Sequence, residues 1–260
     1  MIWFEFALTG IFAGFLAGYL GIGGGIVLVP ILSMIFSRDP ATADVAVQMA
    51  VATSLATMLF TSLSSVISHH RRGAILWPLF RQMLPGLLIG ALVGTLVADS
   101  VSSASLGRIF GVFALVIGVL LLRGQAGQAN RPLPGQLPTA GIALAIGSVS
   151  SLLGIGGGNL TVPWLLWHGQ QIRIAIATAA ACGYPIALAG TVGFILLGDN
   201  TPGAPTLGYI NLQALVGVAV FSIMGAPLGA AAVHRSKPLL AKRIFALFLL
   251  IVALKMLLAS

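Results

Sequence analysis

Asn159 and Thr161 follow directly on the run Gly154-Ile-Gly-Gly-Gly158, inside otherwise aliphatic sequence. An amide and a hydroxyl placed beside a backbone break are hydrogen-bond donors of the kind that hold an anion. The run has a twin: Gly21-Ile-Gly-Gly-Gly25-Ile-Val-Leu-Val-Pro30 recurs as Gly154-Ile-Gly-Gly-Gly158-Asn-Leu-Thr-Val-Pro163, at an offset of 133. Consecutive glycines weaken a helix by about 1 kcal/mol each. In hydrocarbon they leave backbone groups whose lack of partners costs several kcal/mol apiece, so such backbone persists only where it is buried in protein or lines a polar cavity. A helix that starts after the break presents free N–H groups and the positive end of its dipole, which suits an anion. Pro30 and Pro163 are expected in the first turn of such helices, where proline is tolerated.

The candidate ligands are therefore backbone groups of Gly23, Gly24, Gly25, Gly156, Gly157 and Gly158, with the side chains of Asn159 and Thr161. On the next apolar segment of each half, Thr53 and Ser54 pair with Thr178 and Ala179 at an offset of 125, and Thr57 and Tyr184 follow them. Each has a plainer reading. Serine and threonine also bond back to the preceding turn, and glycines also let helices approach closely. The spacing of Gly10, Gly14, Gly18 and of Gly86, Gly90, Gly94 fits close helix packing, whereas Gly-x-Gly-Gly-Gly does not. Pro185 is expected to kink its helix.

Acidic residues are confined to Glu5, Asp39, Asp44, Asp99 and Asp199, all near the ends of apolar segments. A cation carrier or carboxylate relay would keep an acid in mid-membrane. An anionic solute bound by N–H, hydroxyl and amide donors fits better. His69, His70, His168 and His234 also lie at segment ends. No His-Glu-x-x-His, Gly-x-Ser-x-Gly or Gly-Lys-Ser/Thr sequence occurs, and the one cysteine, Cys182, with scattered histidines makes no metal site. Neither an enzyme nor a cofactor is expected.

These donors must be positioned by membrane helices. Hydrophobic residues form 58% of the 260, charged residues 7%, too few charges to cover a water-soluble domain. The net charge of +8 sits in short loops, as positive-inside topology requires, so nucleic acid is not expected as a partner. The start, Met-Ile-Trp-Phe-Glu-Phe, lacks a basic region and reads as mature sequence. Apolar segments run over 2–36, 43–68, 76–98, 104–122, 138–167, 173–197, 209–233 and 239–258. The breaker-rich stretch from Arg123 to Pro138 divides them, giving a first membrane repeat over 1–123, a polar linker over 124–137 and a second repeat over 138–260. Gly73, Gly90, Gly94 and Arg108-Ile-Phe110 recur at Gly208, Gly225, Gly229 and Arg243-Ile-Phe245, an offset of 135.

Matching loops have opposite charge bias. The loop His69-His-Arg-Arg72 is basic and its counterpart at 199–207 carries Asp199 and no cation, while the loop at 99–104 carries Asp99 and its counterpart holds Arg235, Lys237, Lys242 and Arg243. The halves are therefore expected in opposite orientations, each with an odd number of crossings. The glycine-broken element then folds as a re-entrant hairpin, followed by three transmembrane helices. This all-α arrangement of two inverted repeats leaves ten cations inside and three outside, namely Arg38, Arg108 and Lys255. Eight plain crossings would leave six inside and seven outside.

The pattern Gly14-x-x-x-Gly18-x-x-Gly21-x-Gly-Gly-Gly25 with Pro30, then Ala-Thr-Ser54 and the basic loop before Gly73, closely resembles the sulfite exporter TauE/SafE family, also called the toluene-sulfonate uptake permease family. The second half carries its own version through Gly147, Gly154 to Gly158, Pro163 and Ala177-Thr178. The resemblance covers essentially the whole chain. It implies a bacterial inner-membrane secondary transporter, often an exporter, for small sulfur-containing anions such as sulfite, sulfoacetate or organosulfonates, with a proton as a coupling ion that the family allows. Ala179 in place of Ser54 departs from a symmetric site. An anion channel lined by two re-entrant half-helices, an importer of a related anion, and a non-transporting membrane subunit share many of these features.

Overall fold

The computed structural model describes residues 2–20, 24–123, 132–199, 205–233 and 238–258, with side chains described at all of these except 2, 17–20, 226–227, 229–233, 238–242 and 244. The chain is helical: α1 (Ile2–Leu20), α2 (Gly25–Phe36), α3 (Ala46–Arg71), α4 (Trp77–Ser100), α5 (Ser103–Arg123), α6 (Gln136–Leu152), α7 (Gly158–Trp167), α8 (Ile172–Leu197), α9 (Leu212–Val233) and α10 (Pro238–Leu258). Two apolar segments each hold a helix pair, α1–α2 and α6–α7, and the second helix of each pair begins on the last glycine of the run. Among the described residues four helices are long and apolar enough to cross a bilayer: α3 with the short 3-10 turn before it, α4, α5 and α8. A two-residue hairpin, β1 (Thr206–Leu207) and β2 (Ile210–Asn211), precedes α9 and turns through Gly208 at φ +56. Its counterpart Gly73 has φ +63, so both copies of this glycine serve the same left-handed turn.

The expectation for Pro30 and Pro163 needs correcting. Both helices begin on the last glycine of the run, so each proline sits one turn further in. Its missing N–H leaves the carbonyl four residues earlier, that of Ile26 or Asn159, without its helical partner.

The halves interdigitate. The first helix of each half packs on the fourth of the other, α1 on α9 and α4 on α6. These are the glycine seams. A Cβ on Gly86, Gly90 or Gly94 would collide with the carbonyl oxygens of Ala140, Leu144 and Ser148 in turn, so α4 and α6 run in the same direction in backbone contact. Gly10 and Gly14 meet Val218 and Ser222 in the same way, so α1 and α9 also run together. Ser222 strengthens that seam, its hydroxyl donating to the Gly10 carbonyl at 3.1 Å. By contrast α5 and α10 are antiparallel, with Gly111 against Ala253 and Gly118 against Ala246.

Several contacts fix which helix ends lie together. The end of α2 returns to the start of α1, where Arg38 pairs with Glu5 at 3.0 Å and the Phe6 and Phe36 rings stand 6.5 Å apart. At that same end the Gln48 amide donates to the Val101 carbonyl at 2.9 Å and Ser103 accepts the Val47 N–H at 3.0 Å, joining the start of α3 to the end of α4 and the start of α5. Tyr209, before α9, donates to Asp99 at 2.8 Å. Burial lifts the Tyr209 pKa to about 12, with the Asp99 hydrogen bond and the Asp99 and Asp199 charges adding to it. The phenol therefore stays a donor at any physiological pH.

Candidate functional site

The glycine breaks meet. A Cβ on Gly25 would strike the Gly154 carbonyl oxygen and stand 3.0 Å from the Ile155 Cα. Gly154 itself adopts φ +64, a conformation open to glycine at little cost. Its neighbours Leu153 to Gly157 are all buried. Ser54 on α3 donates to the Gly154 carbonyl at 2.8 Å, and Val51, one turn earlier on the same face, packs its backbone against Gly154. Met58, one turn later, lies over both breaks: its Sδ is 3.2 Å from a Cβ placed on Gly25, and its Cε covers Gly156. The Val51–Ser54–Met58 stripe of α3 thus seats the second break.

The first turn of α7 carries the donors. Its amides close backward from Asn159 to Gly156, from Leu160 to Gly157 and from Thr161 to Gly157 (3.4, 3.3 and 2.8 Å). The N–H groups of Gly156, Gly157 and Gly158 donate to no described residue. Asn159 and Thr161 are buried, and neither the Asn159 Nδ2 nor the Thr161 Oγ1 has a hydrogen-bond partner among the described residues. The half-buried Trp164, one turn on from Thr161, also has an Nε1 without a partner among the described residues. Each such group costs about 1–3 kcal/mol unless something bonds it. Space exists beside them, since a Cβ on Gly183 of α8 would meet only the Gly157 nitrogen, at 3.9 Å, among the described residues. Several N–H and O–H donors with no carboxylate close by form a donor set for an oxyanion. No cluster of metal-ligating side chains occurs among the described residues.

The other candidates are placed elsewhere. Gly24 caps α2, with ordinary room for a Cβ against Ala13; Gly23 lies outside the described residues. Thr53 and Thr178 are buried and each accepts one backbone N–H: the Thr53 Oγ that of Asn211 and the Thr178 Oγ that of Leu76, both at 3.1 Å. Asn211 and Leu76 correspond in the repeat, so the two threonines make one reciprocal contact between halves, each holding the entry to the other half's fourth helix. Thr57 bonds back to the Thr53 carbonyl at 2.9 Å, and Tyr184 is half-buried beside Pro185 on α8.

Sequence reasoning missed Met58, Trp164 and Asn211. Asn211 is buried and caps α9 by accepting the Ala214 N–H at 2.9 Å. An amide at the start of an apolar segment, with Gln213 two residues on, was the available signal for Asn211; nothing in the sequence distinguishes Met58 from a core methionine.

Comparison with known proteins bears on this arrangement. The family model described as sulfite exporter TauE/SafE matches residues 6–256. The chain belongs to the sulfite exporter TauE/SafE family. Membership makes it a multi-pass protein of a family of membrane transporters. A probable membrane transporter protein of Haemophilus influenzae is 33% identical over 252 residues, 96% of each chain. The probable membrane transporter protein YunE of Bacillus subtilis is 28% identical over 251 residues, 86% of each. One of Methanocaldococcus jannaschii is 26% identical over 225 residues, 85% of this chain and 83% of its own. No solved structure matches the chain significantly. The family match over residues 6–256 takes in both glycine runs and the helices around them.

Proposed function

We propose that this chain is a secondary carrier of small sulfur-containing anions of the sulfite, sulfoacetate or organosulfonate class, working as an exporter in a bacterial inner membrane. One observation carries the reading: the two breaks abut, and the first turn of α7 offers buried, unpartnered donors beside them with no acid at that depth. We further propose that the halves, 1–123 and 138–260 about the linker 124–137, are inverted. Support comes from helix directions. The start of α1 lies at the same end of the bundle as the end of α4, α4 runs with α6, and so α1 and its counterpart α6 run oppositely. The return of α2 to the start of α1 supports a re-entrant α1–α2 element.

In this reading the anion sits where the breaks face each other and the halves rock around it. The α7 dipole, the free amides and the Asn159 and Thr161 side chains replace its water. Coupling to a proton does not require a carboxylate relay, since sulfite titrates near neutrality and can carry the proton itself as hydrogen sulfite. Sulfite counterflow in proteoliposomes holding only this chain tests the reading. Saturable exchange, competed by sulfoacetate, is the expected result. Non-saturating flux would make it a channel, and no exchange of any of these anions by folded, inserted protein would reject the substrate class.

A further inference from the structure

Two of the three cations that the proposed orientation leaves outside, Arg38 and Lys255, converge on one cavity. It has a volume of about 420 Å³ and lies between the end of α2, the starts of α3 and α5 and the end of α10. Its polar lining is Arg38, Lys255, Ser33, Ser37 and Ser103, over a floor that includes Val47, Gly107 and Met256. The serines are not equivalent. Ser33 and Ser37 spend their protons on the Pro30 and Ser33 carbonyls at 2.9 and 2.6 Å. Ser103 only accepts, from the Val47 N–H, so its proton is free to donate into the cavity. Arg38 meets both Glu5 oxygens through one nitrogen, Nη1, at 3.1 and 3.0 Å, leaving its other N–H groups for a second partner. Lys255 has its ammonium 3.3 Å from the Met34 sulfur, a weak acceptor that leaves its remaining protons unspent.

No carboxylate lines the cavity. Asp39 and Asp44 flank it in sequence; Asp39 is occupied by the Ala41 N–H at 3.0 Å and Asp44 is exposed. Two cations from distant parts of the chain therefore face one polar recess, on the side where cations are disfavoured. We infer that this recess is a second anion site, binding an oxyanion (a free small anion such as sulfite, or the headgroup of an anionic lipid) between Arg38, Lys255 and the Ser103 hydroxyl. The geometry stands without the transport reading; only the side it faces rests on the orientation proposed above. If the occupant is the transported anion, the site is a vestibule that the anion passes at the outer mouth.

The test uses the full chain in nanodiscs of zwitterionic phosphatidylcholine, with sulfite binding followed by calorimetry and bound lipid by native mass spectrometry. Lys255→Gln leaves the Arg38–Glu5 pair intact and serves as the variant expected to fold normally, alongside Arg38→Gln/Lys255→Gln. Asn159→Ala controls for the central site. A sulfite event that survives Asn159→Ala and weakens by about tenfold in Lys255→Gln supports a free-anion site. Absence of that event, with phosphatidylglycerol retained by the wild type and lost from Lys255→Gln, supports a headgroup site. If neither sulfite binding nor phosphatidylglycerol retention changes in either variant, the inference is overturned.

Discussion

The first turns of α2 and α7 are counterparts in sequence and differ in what they bury. In α2 nearly every residue is enclosed, and the positions matching Asn159 and Thr161 are Ile26 and Leu28. In α7 the buried residues are Asn159, Thr161 and Leu165, while Pro163 and Trp167 face outward. One half thus supplies an apolar peg and the other a donor-rich turn. The helices that follow differ in the same sense: α3 carries Ser54 and Met58 where α8 carries Ala179 and Gly183. Two runs alike in sequence thus differ in role: polarity gathers at the second and packing at the first.

Substitutions can break or sharpen this contrast, and the largest effect is expected at the contact itself. Gly25→Val pushes a branched side chain into the Gly154 carbonyl and should abolish folded protein in size-exclusion profiles, whereas Gly24→Ala, with ordinary space at its Cβ, should shift stability by less than about 1 kcal/mol. Next come the threonines, where the halves should behave alike. Thr53→Val and Thr178→Val each strand one backbone N–H, that of Asn211 or Leu76, and should each cost about 1–3 kcal/mol in thermal unfolding. Unequal losses would mean that one threonine does something its twin does not. Ser54→Ala removes a single hydrogen bond to Gly154 and should cost about 1 kcal/mol, with no matching bond at Ala179 to lose. The exposed Arg38–Glu5 pair should show the smallest effect, a coupling of about 0–1 kcal/mol in a double-mutant cycle, since Arg38 is 68% exposed.

Much of the helical arrangement was legible because membranes reward a simple pattern. Long apolar runs marked the helices, and the two Gly-x-Gly-Gly-Gly runs marked where α1 gives way to α2 and α6 to α7. The Gly86–Gly90–Gly94 spacing announced a close seam, though not that its partner would be α6. The proposed site was legible only in part. Asn159 and Thr161 stood out as polar residues after a break, but Thr53 and Thr178 looked like their equals. What separates them is a contact across 158 residues for Thr53 and 102 for Thr178, and no local spacing encodes it. The prolines misled because the helix starts on glycine, which spacing alone does not reveal.

The most direct test of an asymmetric central site is the KM for sulfite counterflow in Asn159→Ala and Thr161→Val, set against Ile26→Ala and Leu28→Ala. Loss of one donor to an anion should raise KM about 10- to 100-fold in the α7 variants. The α2 variants should lose stability with KM nearly unchanged. Unaltered KM in both α7 variants, or equal KM shifts in the two halves, would contradict the site placed at the first turn of α7.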